Sequence, residues 1–235
     1  MIKTQDFIQK YRTAFGPNAA LPMVFFYTDT PLAETENTKG CFLTMFDDVS
    51  AGKIISINAS NIGCNGGKFY TGFAEMSPSM PAMVAEKERY KQSPQQVVDA
   101  VRDIDIRKAS ASWLNVMRVD KLDDLSMTEG MIFLATPDVL AGLCGWAFYD
   151  YPELDAVVAY FGSGCSTMFA NVSTEHRRGG QRCFMGLMDP STRTRLSPDI
   201  IGFAIPGSRL ESMYQTMDKC FLTHSRAWEQ IRSRI

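Results

Sequence analysis

The chain is short of histidine and sparing with cysteine, with two His and six Cys in 235 residues. His176 and His224 are the only histidines, so a histidine-based triad or a His-rich metal site has few candidates. No C-x-x-C pair occurs, which argues against thioredoxin chemistry and standard zinc ribbons. A basic excess is missing as well. Lys and Arg number 24 against 26 Asp and Glu, a formal charge of −2, whereas a dedicated nucleic-acid binder normally carries a strong positive surplus. Long apolar runs are also absent. Residues 21–27 fall far short of the roughly 20 that a bilayer needs, and the uncharged stretch 156–174 is interrupted by Gly162, Gly164 and Asn171. Neither nucleic acid nor membrane is an expected partner. Asp6, Lys10 and Arg12 break the opening segment where a signal peptide needs an unbroken apolar core. The expected location is therefore cytoplasmic, where thiols stay reduced.

What is present is an ordinary globular composition, 45% apolar and 21% charged, in a chain long enough to bury a core without staples. Helical spacing of Phe7, Ile8, Tyr11 and Phe15 predicts a helix ending near Phe15, with Thr4 as its N-cap. Strands are expected at 23–27, 53–59, 115–119, 131–135, 157–161, 182–187 and 200–205. Helices are expected at 41–49, 81–90 and 137–148, with a polar loop at 35–40. Ser93-Pro94 should start another, as a cap followed by proline in the first turn. Ser208 and Glu211 have capping-box spacing for a long C-terminal helix running towards Ile235. The alternation predicts an α/β or α+β fold, a mixed sheet with flanking helices, in a single compact domain over 1–235.

One internal similarity suggests a degenerate duplication. Met23-Val-Phe-Phe-Tyr-Thr28 is similar to Met131-Ile-Phe-Leu-Ala-Thr136. Each is followed by a cysteine-bearing helix (Cys41, Cys144), a β-rich strand and a glycine–cysteine turn (Cys64, Cys165). The two halves, about 20–75 and 130–175, would be joined by a helical middle segment, and their turns would face each other across a pseudo-twofold axis.

Phosphate-loop chemistry is not supported. Around Gly63–Lys68 the first Walker glycine is Ile62 and the magnesium-binding hydroxyl is Phe69. At Gly162-Ser-Gly164, Thr167 replaces the third glycine of a dinucleotide fingerprint. Gly63-Cys64-Asn65-Gly66-Gly67 survives as a candidate ligand-binding turn, because three glycines in five residues permit positive φ and close backbone approach. The bland alternative is a tight connection with a buried cysteine.

Context sorts the cysteines. Cys144 and Cys220 sit among Leu, Trp and Phe and read as small core residues. Cys41 opens a helix, where the N-terminal dipole lowers a thiol pKa. Cys64 and Cys165 follow glycines at strand ends, and Cys183 borders a basic segment. Cys41, Cys64, Cys165 and Cys183 are the right number for a four-thiolate iron–sulfur cluster or zinc site, although no local motif ties any two together and simple burial is the competing reading. Arg177, Arg178 and Arg182, with Arg193 and Arg195 further on, make residues 176–195 the clearest charge asymmetry. Arginine forks there suit a small-molecule or anionic ligand. Solvated pairing with acids elsewhere is the plainer alternative.

Gly40-Cys41, Cys64-Asn-Gly-Gly67, Gly162-Ser-Gly-Cys165, Cys183-Phe-Met-Gly186 and Ile200-Ile-Gly-Phe-Ala-Ile-Pro206 together resemble an uncharacterised prokaryotic family of ArCR type, domain of unknown function 169. The resemblance spans about residues 20 to 220 and implies a cytoplasmic protein with dispersed cysteines, with no activity to carry over. It also implies an arginine soon after the Cys-x-x-Gly segment. Leu187, Met188 and Asp189 follow Gly186 here, leaving Arg193 as a displaced substitute.

Three readings of function remain open. The first is a small ligand or thiolate-held cofactor bound at the glycine–cysteine turns. The second is a metal-free enzyme with one reactive cysteine, Cys64 or Cys41. The third is a non-catalytic interaction protein, with a homo-oligomer among its forms, using methionines along 76–83 as an adaptable apolar surface.

Overall fold

Pleat parity organises this protein. In the computed structural model, which describes residues 1–34, 37–38 and 40–235, successive side chains of each central strand enter two different cores. Val24 and Phe26 of β1 (Met23–Thr28) face one cluster, while Met23 and Phe25 face the other. The remaining strands are β2 (Ile55–Ile57), β3 (Trp113–Arg118), β4 (Gly130–Ala135), β5 (Val157–Val158), β6 (Cys183–Gly186) and β7 (Ile201–Pro206). They form one sheet in the order β2-β3-β1-β4-β7-β6-β5. Every neighbouring pair is antiparallel except β5–β6, so the sheet is mixed.

Helices cover both faces. Their bounds are α1 (Thr4–Phe15), α2 (Phe46–Ser50), α3 (Asn65–Tyr70), α4 (Met80–Ala82), α5 (Pro94–Ile104), α6 (Pro137–Tyr149), α7 (Asn171–Arg177), α8 (Pro190–Arg193), α9 (Gly207–Thr216), α10 (Phe221–His224) and α11 (Arg226–Arg232). On one face α1, α6 and α9 to α11 bury Phe7, Phe15, Trp146, Met213 and Trp228 against Phe133 and Phe203. The opposite face carries the 3-10 turn Phe42–Met45, α2, and a helical run in which a wide π-turn segment, Ser166–Ala170, leads into α7. Phe42, Phe46 and Phe25 surround Phe169 there, with centroids 4.8–6.2 Å apart. The fold is α+β, with a mixed sheet and flanking helices. None of the described helices is long and apolar enough to cross a membrane.

Most elements fall where periodicity places them, and the differences have local causes. Ser93 caps α5 as expected, its Oγ accepting the Gln96 N–H at 3.4 Å. Thr4 begins α1 but does not cap it. Lys3 holds the cap position, and the buried Thr4 hydroxyl has no partner among the described residues. The strand expected over 53–59 shortens to three residues because Asn61 turns the chain, accepting the Asn58 N–H at 2.8 Å and donating to the Ser56 carbonyl at 3.0 Å. The 157–161 strand keeps only its first two residues. The 81–90 helix is α4 followed by the π segment Met83–Lys87. Ser208 makes no capping box, since its hydroxyl donates to the Gly180 carbonyl. The long C-terminal helix is bent into α9, α10 and α11, with Ser225 starting the last by accepting the Trp228 N–H at 3.4 Å. Residues 35, 36 and 39 of the expected polar loop lie outside the described residues.

β1 and β4 lie side by side. The helices that follow them cover opposite faces of the sheet: Phe42, Phe46 and Val49 pack on one side and Val139, Leu143 and Trp146 on the other.

Candidate functional site

Cys41 is held in place by its neighbour in space rather than in sequence. Thr38 clamps the approach to Cys41 onto the segment before α3. Its N–H donates to the Asn61 carbonyl at 2.9 Å, and its hydroxyl accepts the Gly63 N–H at 2.8 Å. The contact is so close that a β-carbon on Gly63 would stand 2.0 Å from the Thr38 carbonyl oxygen. Cys41 then immediately precedes the 3-10 turn Phe42–Met45 and remains half-exposed.

The Gly63–Gly67 turn leads directly into α3. Cys64 is the N-cap residue, its Sγ accepting the Gly67 N–H at 3.4 Å. Gly66 and Gly67 are helical, and none of the motif's glycines has a positive φ. Their use is close packing: a β-carbon on Gly67 would stand 3.0 Å from Ile62 and 3.3 Å from Phe42. Asn65 is exposed beside them.

Cys165 lies in the first turn of the helical run that leads into α7, buried at 4% exposure. Gly164 before it admits three neighbours at once. A β-carbon there would be 2.5 Å from Leu43, 2.9 Å from Leu187 and 3.0 Å from the Thr192 hydroxyl. Leu43 belongs to the turn that Cys41 opens, so the same packing brings Cys41 and Cys165 together. The Cys165 S–H hydrogen-bonds to Cys41.

The two thiols therefore differ sharply. That hydrogen bond, with help from the Leu43 N–H and the Arg195 charge, outweighs burial and lowers the Cys41 pKa from 9.0 to about 6. Cys165 is pushed well up, first by its hydrogen bond to Cys41, then by burial and by the charges of Cys41, Cys64 and Asp189. Nearby Tyr70 rises to about 12, mainly through burial and secondarily through Cys165. One proton shared by two thiols leaves a thiolate on the accessible member.

Three of the four turn cysteines thus converge, and Cys183 does not. It begins β6 with its side chain in the first core, 3.7 Å from the Met213 sulfur, while the next residue, Phe184, enters the core that holds Cys165. The sheet separates them. Burial pushes the Cys183 thiol far up. Among the described residues no group of three His, Cys, Asp or Glu side chains stands where it could hold a metal ion.

The arginine segment is occupied internally. Arg177 reaches Glu129 at 2.8 Å and the Lys108 carbonyl at 2.8 Å. Arg178 pairs with Asp105 at 2.8 Å, and Arg182 forks onto Glu175 at 2.9 and 3.1 Å. Arg193 donates to the carbonyls of Ser197, Pro198 and Ile200. Only Arg195 of this set is both exposed and without an acid partner among the described residues, and its charge acts on Cys41.

Residues 20–216 match the model of an uncharacterised family of ArCR type, domain of unknown function 169. The chain belongs to this family. It matches no curated protein and no solved structure. The match covers all three converging cysteines and also Asp189, which the sequence reading left aside. Asp189 caps α8, accepting the Thr192 N–H at 3.1 Å, and is 2% exposed. Asp189-Pro190, a cap before a first-turn proline, is the signal that marks it. A cleft of about 420 Å³ between the end of α1 and strands β1 and β4, lined by Arg12, Met23, Arg118 and Ile132, shares no residue with the thiol cluster.

Proposed function

We propose that this protein is a cysteine-dependent enzyme whose nucleophile is the Cys41 thiolate. The reading is supported by one observation above the rest: a half-exposed thiol receives the S–H of a buried one. A thiolate is the reactive form of cysteine, and a depressed pKa keeps it populated at neutral pH. The Cys64 charge acts on Cys165, and Arg195, without an acid partner among the described residues, puts a positive charge near Cys41, so a small soft electrophile bearing an anionic group fits the surroundings.

The test is alkylation with iodoacetamide across pH, with peptide mapping. Cys41 should react with a midpoint near pH 6, and Cys41→Ser should remove that reaction while Cys183 and Cys220 stay silent until unfolding. A Cys41 midpoint near the ordinary value of 9 would overturn the proposal.

A further inference from the structure

Asp189 presents a buried carboxylate with one oxygen unused. Oδ1 accepts the Thr192 N–H at 3.1 Å and the Ser191 hydroxyl. Oδ2 has less than 1 Å² of exposure and no hydrogen-bond partner among the described residues. An unmatched buried acceptor is costly and calls for an explanation. The surrounding packing supplies one. Thr192, whose N–H this carboxylate holds, packs against Gly164, the residue before Cys165, and the Asp189 charge acts on both Cys165 and Cys41. The chain reaches this position through Leu187, a buried leucine held at φ 61°. That left-handed backbone is strained for a bulky residue, and such strain persists only where packing enforces it.

We propose that Cys41 and Cys165 are the attacking and resolving thiols of a thiol–disulfide exchange, and that Asp189 Oδ2 accepts the proton of Cys165 in the resolving step. The inference rests on Cys41 being the nucleophile and adds the substrate class, a small disulfide. In the first step the Cys41 thiolate attacks the substrate S–S bond, forming a mixed disulfide and releasing one thiolate. Cys41 then no longer accepts the Cys165 S–H. The buried Cys165 must lose that proton to attack, and the free Asp189 oxygen takes it. The Cys165 thiolate displaces the second substrate thiolate, leaving a Cys41–Cys165 disulfide and Asp189 as the acid. Two electrons pass from the protein dithiol to the substrate disulfide, and both substrate halves leave as thiolates. The groups acting on Cys165 are Cys41, Cys64 and Asp189, Cys165 in turn acts on Tyr70, and those acting on Cys41 are Cys165, the Leu43 N–H, Asp189 and Arg195. Asp189 alone among them holds a buried acceptor oxygen with no partner among the described residues.

The experiment uses the full reduced chain and oxidised glutathione as probe, quenched with acid and read by intact mass and peptide mapping. The wild type should pass through a Cys41–glutathione adduct to the Cys41–Cys165 disulfide. Cys165→Ser should stop at the adduct. Asp189→Asn should form the adduct normally but resolve it on the order of 10²-fold more slowly near pH 7, with the deficit shrinking as pH rises and solvent base takes over. Asn and Ser both cap helices, so Asp189→Ser repeats the test if the first variant folds poorly. Resolution as fast as wild type at every pH in these variants would overturn the role of Asp189. An adduct that never resolves in the wild type would overturn the exchange. Glutathione adding elsewhere, with Cys41 untouched, would instead overturn the nucleophile itself.

Discussion

Gly63 and Thr38 are in backbone contact, with no room for a β-carbon between the glycine and the Thr38 carbonyl oxygen 2.0 Å from where it would sit. This contact sets the distance between the Cys41 turn and the Cys64 cap. Gly63→Ala must push the two segments apart, and overpacking of this kind costs about 1–3 kcal/mol. The variant should melt lower, and the Cys41 alkylation midpoint should move up from about 6 towards 9. Calorimetry and the alkylation profile check both.

Cys41 also makes stability depend on pH. Its folded pKa, about 6, lies below its ordinary value of 9.0. A depressed acidic group contributes fully above its unfolded pKa and loses that contribution as pH falls through its folded pKa. The stability difference between wild type and Cys41→Ser should therefore be largest near pH 9 and fade between pH 9 and pH 6. Urea midpoints for the pair at several pH values measure it, and a flat difference would contradict the lowered pKa.

Glu175 is almost fully buried beneath the Arg182 fork, its side chain 6% exposed. Removing one partner of such a pair strands the other, at a cost of about 3–5 kcal/mol where burial is complete. Arg182 is 30% exposed, so Glu175→Gln should fall at or below the lower end, about 2–3 kcal/mol, by denaturant titration.

Gly142 is where α6 meets α11. A β-carbon there would lie 2.3 Å from the Trp228 ring and 2.7 Å from Phe15. Gly142→Ala should lower the melting temperature by a clash cost of about 1–3 kcal/mol while leaving the Cys41 alkylation profile unchanged, because the thiols lie on the other face of the sheet.

The central strands were legible because 23–27 and 131–135 are unbroken apolar runs, and α5 because serine before proline marks a helix start locally. The site was legible only in part. Cys41, Cys64 and Cys165 could be nominated from their glycines, but their meeting depends on Leu43 packing over Gly164, a contact between residues 121 positions apart. The exclusion of Cys183 turns on pleat parity, and a one-residue shift in β6 would have reversed it. The arginines at 177 and 178 show how charge misleads in sequence, since their partners Glu129 and Asp105 come from distant loops, whereas Arg182 pairs with Glu175 only seven residues away. Asp189 carried a helix-start signature that gave no hint of its free oxygen.

The Trp228 indole N–H donates to the Ala14 carbonyl at 2.7 Å, and Arg232 donates to the Thr13 carbonyl at 2.8 Å. Helix α1 therefore emerges from the ribosome more than two hundred residues before the helix that clasps it. Until α11 is made, Phe15 lacks the edge-on cover of the Trp228 ring, whose centroid lies 5.6 Å from its own. A chain truncated before α11 would strip the Trp228 ring from Phe15 and from the Gly142 surface, so α11 is the clasp that closes this side of the first core.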